Sequence, residues 1–189
     1  MDALTALTTR ASATALVEPA PDNAALERML AAAVAAPDHG RLRPWRFLAV
    51  RGAARARLGE VMAEALHARE PEAPAALLEK ERQKPLRAPL VLVAAAKLEA
   101  GHKIPVVEQI LAVGAAAQNL IVAAHALGYG TMWKTGAPAY DARVKRALGL
   151  AEGDQIVGFL YLGTAEGGLP AAIRQVPASS LVEWSGPGG

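Results

Sequence analysis

The stretch from Ile104 to Leu127 constrains the fold more than any other part of the chain. It is a long apolar run rich in alanine, leucine and valine, and it stops at the Gly-Tyr-Gly of Gly128 to Gly130. A run of this kind predicts one long helix closed by glycine. Its length alone would suit a membrane span. Glu108, Gln109, Gln118, Asn119 and His125 interrupt it, however, and a lipid-facing helix tolerates such groups badly. The run therefore reads as a buried helix of a soluble protein. Hydrophobic residues make up 52% of the 189-residue chain but aromatics only 4%, so alanine supplies much of the apolar content. Alanine buries little area, and such a chain gains from close helix packing and from a partner subunit over the remaining apolar surface.

The rest of the sequence supplies elements to pack around that helix. A first helix is expected over Asp2 to Thr9, and a second from the N-cap Asp22 through Ala36, with Leu26, Met29, Leu30 and Val34 at helical spacing and Pro37 ending it. Trp45 to Val50 is a short strand candidate, and Gly52 opens a helix to about Arg69. The proline-punctuated PEAPAALLEKERQK reads as a helical, mobile, solvent-facing segment. Ala88 to Lys97 is the clearest strand. TMWKTG reads as a second short strand or turn, APAYDARVKRALGL as one amphipathic helix, and QIVGFLYLGT as another buried strand. From Glu166 onward, Gly, Pro and Ser predict an extended tail that reaches toward another subunit. Helices interleaved with strands, with no internal repeat, predict one layered α+β domain over residues 1–189.

Several chemistries lack their residues. Cysteine is absent, which excludes disulfides, thiol catalysis and cysteine-held metals. No phosphate loop and no G-x-S-x-G elbow occur, and Gly128 and Gly130 precede a strand where a dinucleotide fingerprint would follow one. His39, His67, His102 and His125 share no metal-ligand spacing, so no metal site is expected. The N-terminus, with an acid at position 2 and no long apolar core, does not read as a signal peptide, and a cytoplasmic protein is expected. Arg41, Arg43, Arg46, Arg51, Arg55 and Arg57 gather around Trp45 and Phe47, the composition of a nucleic-acid surface. The net charge of only +2 and the lack of a nucleic-acid motif weigh against that reading.

Three pieces remain: Arg10-Ala11-Ser12 after the first helix, the loop from Pro37 to Phe47, and AVGAAAQNLIVAAHALGYGTMWKTG from Ala112 to Gly136. Together with the IVGFLYLGT strand, these resemble in order and spacing the FMN-dependent nitroreductase family, most closely its small NAD(P)H-dependent members. The resemblance implies an α+β nitroreductase-like fold, with a central mixed sheet flanked by helices, and a homodimer with an extended C-terminal arm. It implies FMN as cofactor and NADH or NADPH as electron donor, with the chemistry carried by the flavin and no catalytic side chain named. It places Arg10, Ala11 and Ser12 at the FMN phosphate or ribityl chain, with Ala11 acting through its backbone. Ala35 and His39 are carried into flavin contact, His39 from the second subunit. Trp133, Lys134 and Thr135 are expected beside the flavin ring, where backbone N–H groups can stabilise charge as an oxyanion hole does. Ala123, Ala124, His125, Ala126, Leu127 and Gly128 fall at the segment linked to the nicotinamide nucleotide.

Residue type alone reads more blandly: Arg10 as a cation at a helix C-terminus, His39 as an exposed loop histidine, and Trp45 as core or interface packing. The chain also departs from the wider family. Ala11 replaces a second arginine, Thr14 a lysine or arginine, and Ala35 a longer polar residue; Arg174 is the only local candidate for a phosphate-binding cation in the tail. The expected activity is hydride transfer from NAD(P)H and reduction of nitroaromatics, quinones or a similar small planar acceptor, by a ping-pong mechanism. A flavin-binding protein without turnover is the alternative, and a nucleic-acid-binding protein a weaker one; neither nucleic acid nor membrane is an expected partner.

Overall fold

One strand organises the structure. The computed structural model describes residues 1–172, 174–184 and 186. Within it β5 (Gln155–Ala165) hydrogen-bonds to β3 (Leu90–Ala96), to β4 (Gly130–Lys134) and to the short β1 (Leu16–Val17), while β2 (Trp45–Arg51) pairs with the outer edge of β3. β3 is buried along its whole length, as its run of Leu, Val and Ala requires.

The α+β sheet flanked by helices is as expected, but every pairing among the described strands is antiparallel where a mixed sheet was expected. The reason lies in the connections. After β2 the chain forms α3 (Ala53–Arg69) and α4 (Ala75–Gln83), a helical hairpin that returns it to the end it left, so that Leu90 opens β3 opposite Arg51. α4 was expected to face solvent, and most of it does, while its inner side with the buried Glu81 packs along α3. Gly59 permits this, since a Cβ there would lie 2.2 Å from the Arg82 carbonyl oxygen.

Alternation along β3 divides the core. Val91, Val93 and Ala95 face α3, α6 (Ala137–Tyr140) and α7 (Ala142–Ala147), joined by Ile156, Phe159 and Tyr161 of β5. Leu90, Leu92 and Ala94 face α2 (Asn23–Ala33) and α5 (Val106–Ala126), joined by Leu160 and Leu162. Successive strand residues point to opposite faces, so one all-apolar strand serves both layers. The helix expected over APAYDARVKRALGL is two short ones. Asp141 breaks it in extended backbone and caps α7, accepting a hydrogen bond from the Arg143 N–H at 2.8 Å.

α5 is the long helix expected, running from Val106 to Ala126. It is long and apolar enough to cross a membrane by length and composition, yet one side packs in the core. Its polar residues are ties to other segments. Gln109 is buried, accepts from the Glu99 N–H at 2.9 Å and donates to the Ile104 carbonyl at 3.0 Å, pinning the preceding loop. Asn119 donates to the Ala32 carbonyl of α2 at 3.1 Å. His125 meets Thr9 of α1 (Ala3–Thr9), and Glu108 meets His39. The opposite side of α5 leaves Val107 and Leu111 exposed.

Candidate functional site

The site grows from the end of α1. Asp2 caps this helix through the Thr5 N–H at 3.0 Å, and Arg10 leaves it in extended backbone. The Ala13 N–H then donates to the Thr131 carbonyl at 2.9 Å, which lays residues 11–14 along β4. The tail returns to the same place. Arg10 and Ala171 form an antiparallel bridge, the Ala172 N–H donates to the Thr9 carbonyl at 3.2 Å, and Arg174 Nη1 donates to the Arg10 carbonyl at 3.0 Å.

Arg174 thus lies close enough for its charge to act on Arg10, and Ser12, two residues further on, is exposed. Partial burial, and then repulsion from Arg174, lower the pKa of Arg10. His125 Nε2 lies 3.2 Å from Thr9 Oγ1, and burial followed by the Arg10 charge pushes its pKa down. Neither Arg10 nor Arg174 has a carboxylate partner among the described residues. An uncompensated pair of like charges is a site waiting for an anion.

Beyond Ser12 a cleft opens along β4. A cavity of 190 Å³ is lined by Thr14, Arg87, Met132, Lys134 and Tyr161 among others. A smaller one of 60 Å³ shares Arg87, Lys134 and Tyr161 and adds Lys84 and Thr135. Lys84 and Arg87 come from a short 3₁₀ turn, Lys84–Arg87. Glu81 Oε1 pairs with Lys84, while its buried Oε2 has no partner. Burial pushes the Tyr161 hydroxyl up to about 12, so it stays a neutral donor at neutral pH. Trp133 turns to the other face of the sheet, against the layer of α2 and α5: its indole N–H donates to the Val157 carbonyl at 3.2 Å, and a Cβ at Gly158 would lie 2.1 Å from that same nitrogen.

Ala35 and His39 lie apart from this cleft. Ala35 lines an apolar groove of 470 Å³ with residues of α1 and α5, among them Leu7, Val122, Ala123 and Ala126. His39 lines another cavity with Pro37, Glu108 and Leu111. Of the segment expected near the nicotinamide nucleotide, Ala124 and His125 are buried, and Leu127 with Gly128 closes α5 by backbone hydrogen bonds, Gly128 at φ +90°. Ala123 and Ala126 reach the groove. Arg46 and Arg51 of β2 and Arg55 of α3, part of the basic cluster, donate to the carbonyls of Gly149, Pro21 and Ala88 respectively.

The sequence reading missed Lys84, Arg87 and Tyr161. The one signal for Lys84 and Arg87 was a Lys-Pro-Leu-Arg directly before the clearest strand, and Tyr161 lies within the QIVGFLYLGT strand. Arg174, read as poorly aligned, is brought to Arg10 by the strand-like return of the tail.

The family model described as the Nitroreductase family matches residues 7–164. The chain belongs to the nitroreductase family. It is 41% identical over 166 residues to the protein named "Putative NAD(P)H nitroreductase YdjA" of Escherichia coli strain K12, covering 88% of this chain and 90% of that one. Among solved structures, the nitroreductase-like family protein of Bacillus cereus superposes with a TM-score of 0.81 at 22% identity, covering 98% of this chain and 97% of the other. A nitroreductase of Desulfovibrio desulfuricans solved in complex with FMN gives a TM-score of 0.72 at 24% identity, covering 99% of both chains. At those identities the two structures speak for the nitroreductase fold.

Proposed function

We propose that this nitroreductase-family chain, acting as one domain over residues 1–189, is a cytoplasmic homodimeric flavoenzyme. It takes hydride from NADH or NADPH on FMN and passes the electrons to nitroaromatics, quinones or similar small planar acceptors. The observation that carries the reading is the Arg10–Arg174 pair, without a carboxylate partner among the described residues, on a segment whose next residues Ala13 and Thr14 line a cavity with Arg87 and Lys134. These residues fit the group. The two guanidinium groups suit a dianionic phosphate, the Ser12 hydroxyl suits the ribityl oxygens, and Lys84, Arg87 and Lys134 suit the polar edge of a ring that gains negative charge on reduction.

When bound, FMN supplies the hydride and electron transfer chemistry. The chain's residues do the rest. The backbone of Trp133 to Thr135 offers its edge beside the ring, and Tyr161 stays protonated to donate a hydrogen bond. The 190 Å³ of the cavity along β4 is less than the roughly 300–1,000 Å³ of ordinary small-molecule pockets. A second copy therefore supplies the missing wall. The apolar face of α1, α2 and α5, where Ala35, Ala123 and Ala126 lie, is the surface we assign to that contact, and it brings His39 of one copy to the cleft of the other. One opening serves electron donor and acceptor in turn, which gives ping-pong kinetics.

The test is an absorbance spectrum of the purified protein before and after anaerobic NADPH, followed by a nitroaromatic. A yellow protein that bleaches and then recovers its colour supports the reading. Protein that neither retains nor takes up FMN overturns it, and protein that bleaches without recovering is a holder of flavin rather than a reductase.

A further inference from the structure

His39 Nδ1 lies 2.6 Å from Glu108 Oε2, although the two residues are far apart in the chain. Glu108 stands in the first turn of α5 as its only acid there. The loop carrying His39 is held in a costly conformation. Gly40 has φ +71°, and the non-glycine residues Arg41 and Arg43 have φ +56° and +50°. Asp38 clamps the bend by accepting from the Arg43 N–H at 2.6 Å. Left-handed backbone at non-glycine residues costs roughly 1–3 kcal/mol each and gathers where a side chain must be placed.

As a surface contact it would contribute little, since the side chains are 64% and 41% exposed. Its setting is not an ordinary surface, however. Pro37, Leu111, Ala112 and Ala115 surround it in a cavity of 310 Å³, and Val107 and Leu111 leave apolar side chains uncovered beside it. Covered by a second copy, the pair would be desolvated, and its electrostatics strengthened.

We propose that Glu108 is a positioning residue for His39. Its carboxylate is an acceptor only, so the imidazole presents Nδ1–H to it and turns Nε2, which has no partner among the described residues, toward the neighbouring copy's cleft. This inference rests on the flavin reading above and deepens it: a residue outside the cleft sets which nitrogen of the trans histidine carries the proton.

The experiment uses the purified dimer and FMN. Glu108→Gln keeps the shape but can donate through its amide, which permits the opposite tautomer. FMN dissociation constants are measured for wild type, E108Q, H39A and the double variant, with the exposed pair variant E60Q as control. Nitrogen-15 NMR of the His39 ring reports the protonated nitrogen. We expect E108Q and H39A each to weaken FMN by about tenfold, the size of one hydrogen bond to a charged group. The double variant should be no weaker than either single one, E60Q should bind as wild type, and the His39 ring signals should exchange identity in E108Q. Unchanged FMN binding in E108Q, additive losses, or unchanged ring signals would overturn the inference while leaving the flavin reading intact. Wild-type protein that takes up no FMN removes both.

Discussion

Arg174 is the residue whose environment changes most between sequence and structure. By sequence it belongs to a Gly- and Pro-rich tail; by structure its guanidinium is tied to the Arg10 carbonyl at 3.0 Å. If both arginines grip a phosphate, Arg10→Ala and Arg174→Ala should each weaken FMN by about tenfold to a hundredfold, as charge-assisted hydrogen bonds do. Riboflavin, which lacks the phosphate, should bind the variants and wild type alike; fluorescence titration of both ligands checks this. His125 makes a prediction of opposite character. Its folded pKa lies below the ordinary 6.5, chiefly because it is buried and then because Arg10 is near. The unfolded chain therefore binds this proton first as pH falls. The stabilisation is complete above the unfolded value and is lost as pH drops below it toward the folded one. Urea midpoints should thus fall from pH 7 to pH 5, and His125→Gln should flatten that part of the profile.

At the scale of elements, two glycine and aspartate positions decide how helices reach the cleft. Gly59 lets α4 approach α3, and α4 leads directly into the turn that carries Lys84 and Arg87. Gly59→Ala should push α4 away and lower stability by about 1–3 kcal/mol, with weaker FMN binding in the folded fraction. Thermal melts and FMN titration measure the two effects separately. Asp141 ends α6, caps α7 and pairs with Arg69 at 2.8 Å. Burial alone would raise its pKa, but the Arg143 N–H and Arg69 overcome it and hold the carboxyl below its ordinary value. Asp141→Ala should cost about 2 kcal/mol and lower Tm by several degrees. Apolar runs made the buried strands and α5 legible in the sequence. The break at Asp141 was not, because an aspartate inside an amphipathic pattern looks like a solvated residue until its capping partner is seen. The docking of α4 was equally hidden, since Gly59 contributes by lacking an atom.

For the molecule as a whole, the family's motif segments were legible in chain order and their arrangement in space was not. Arg10 to Ser12 and Trp133 to Thr135 meet because the Ala13 N–H reaches Thr131, a long-range contact that no local pattern announces. Ala35 and His39 open instead on the face of α1, α2 and α5. If that face joins two copies, a charge placed there should separate them. Leu111→Asp, at a 65% exposed position, should turn a dimer into a folded monomer that has lost FMN. Light scattering after size exclusion, together with the flavin spectrum, checks both outcomes, and a dimer that keeps its colour would show that the copies meet elsewhere. The same architecture has an optical consequence. Gly158 leaves the Trp133 indole a fixed seat one residue along β4 from Lys134 of the cleft, whereas Trp184 is 83% exposed. Indole emission overlaps the absorption of oxidised flavin, so a chain built this way carries its own gauge of occupancy: replacing Trp184 with Phe should strip away much of the solvent-facing glow and leave a signal that dims as each cleft fills.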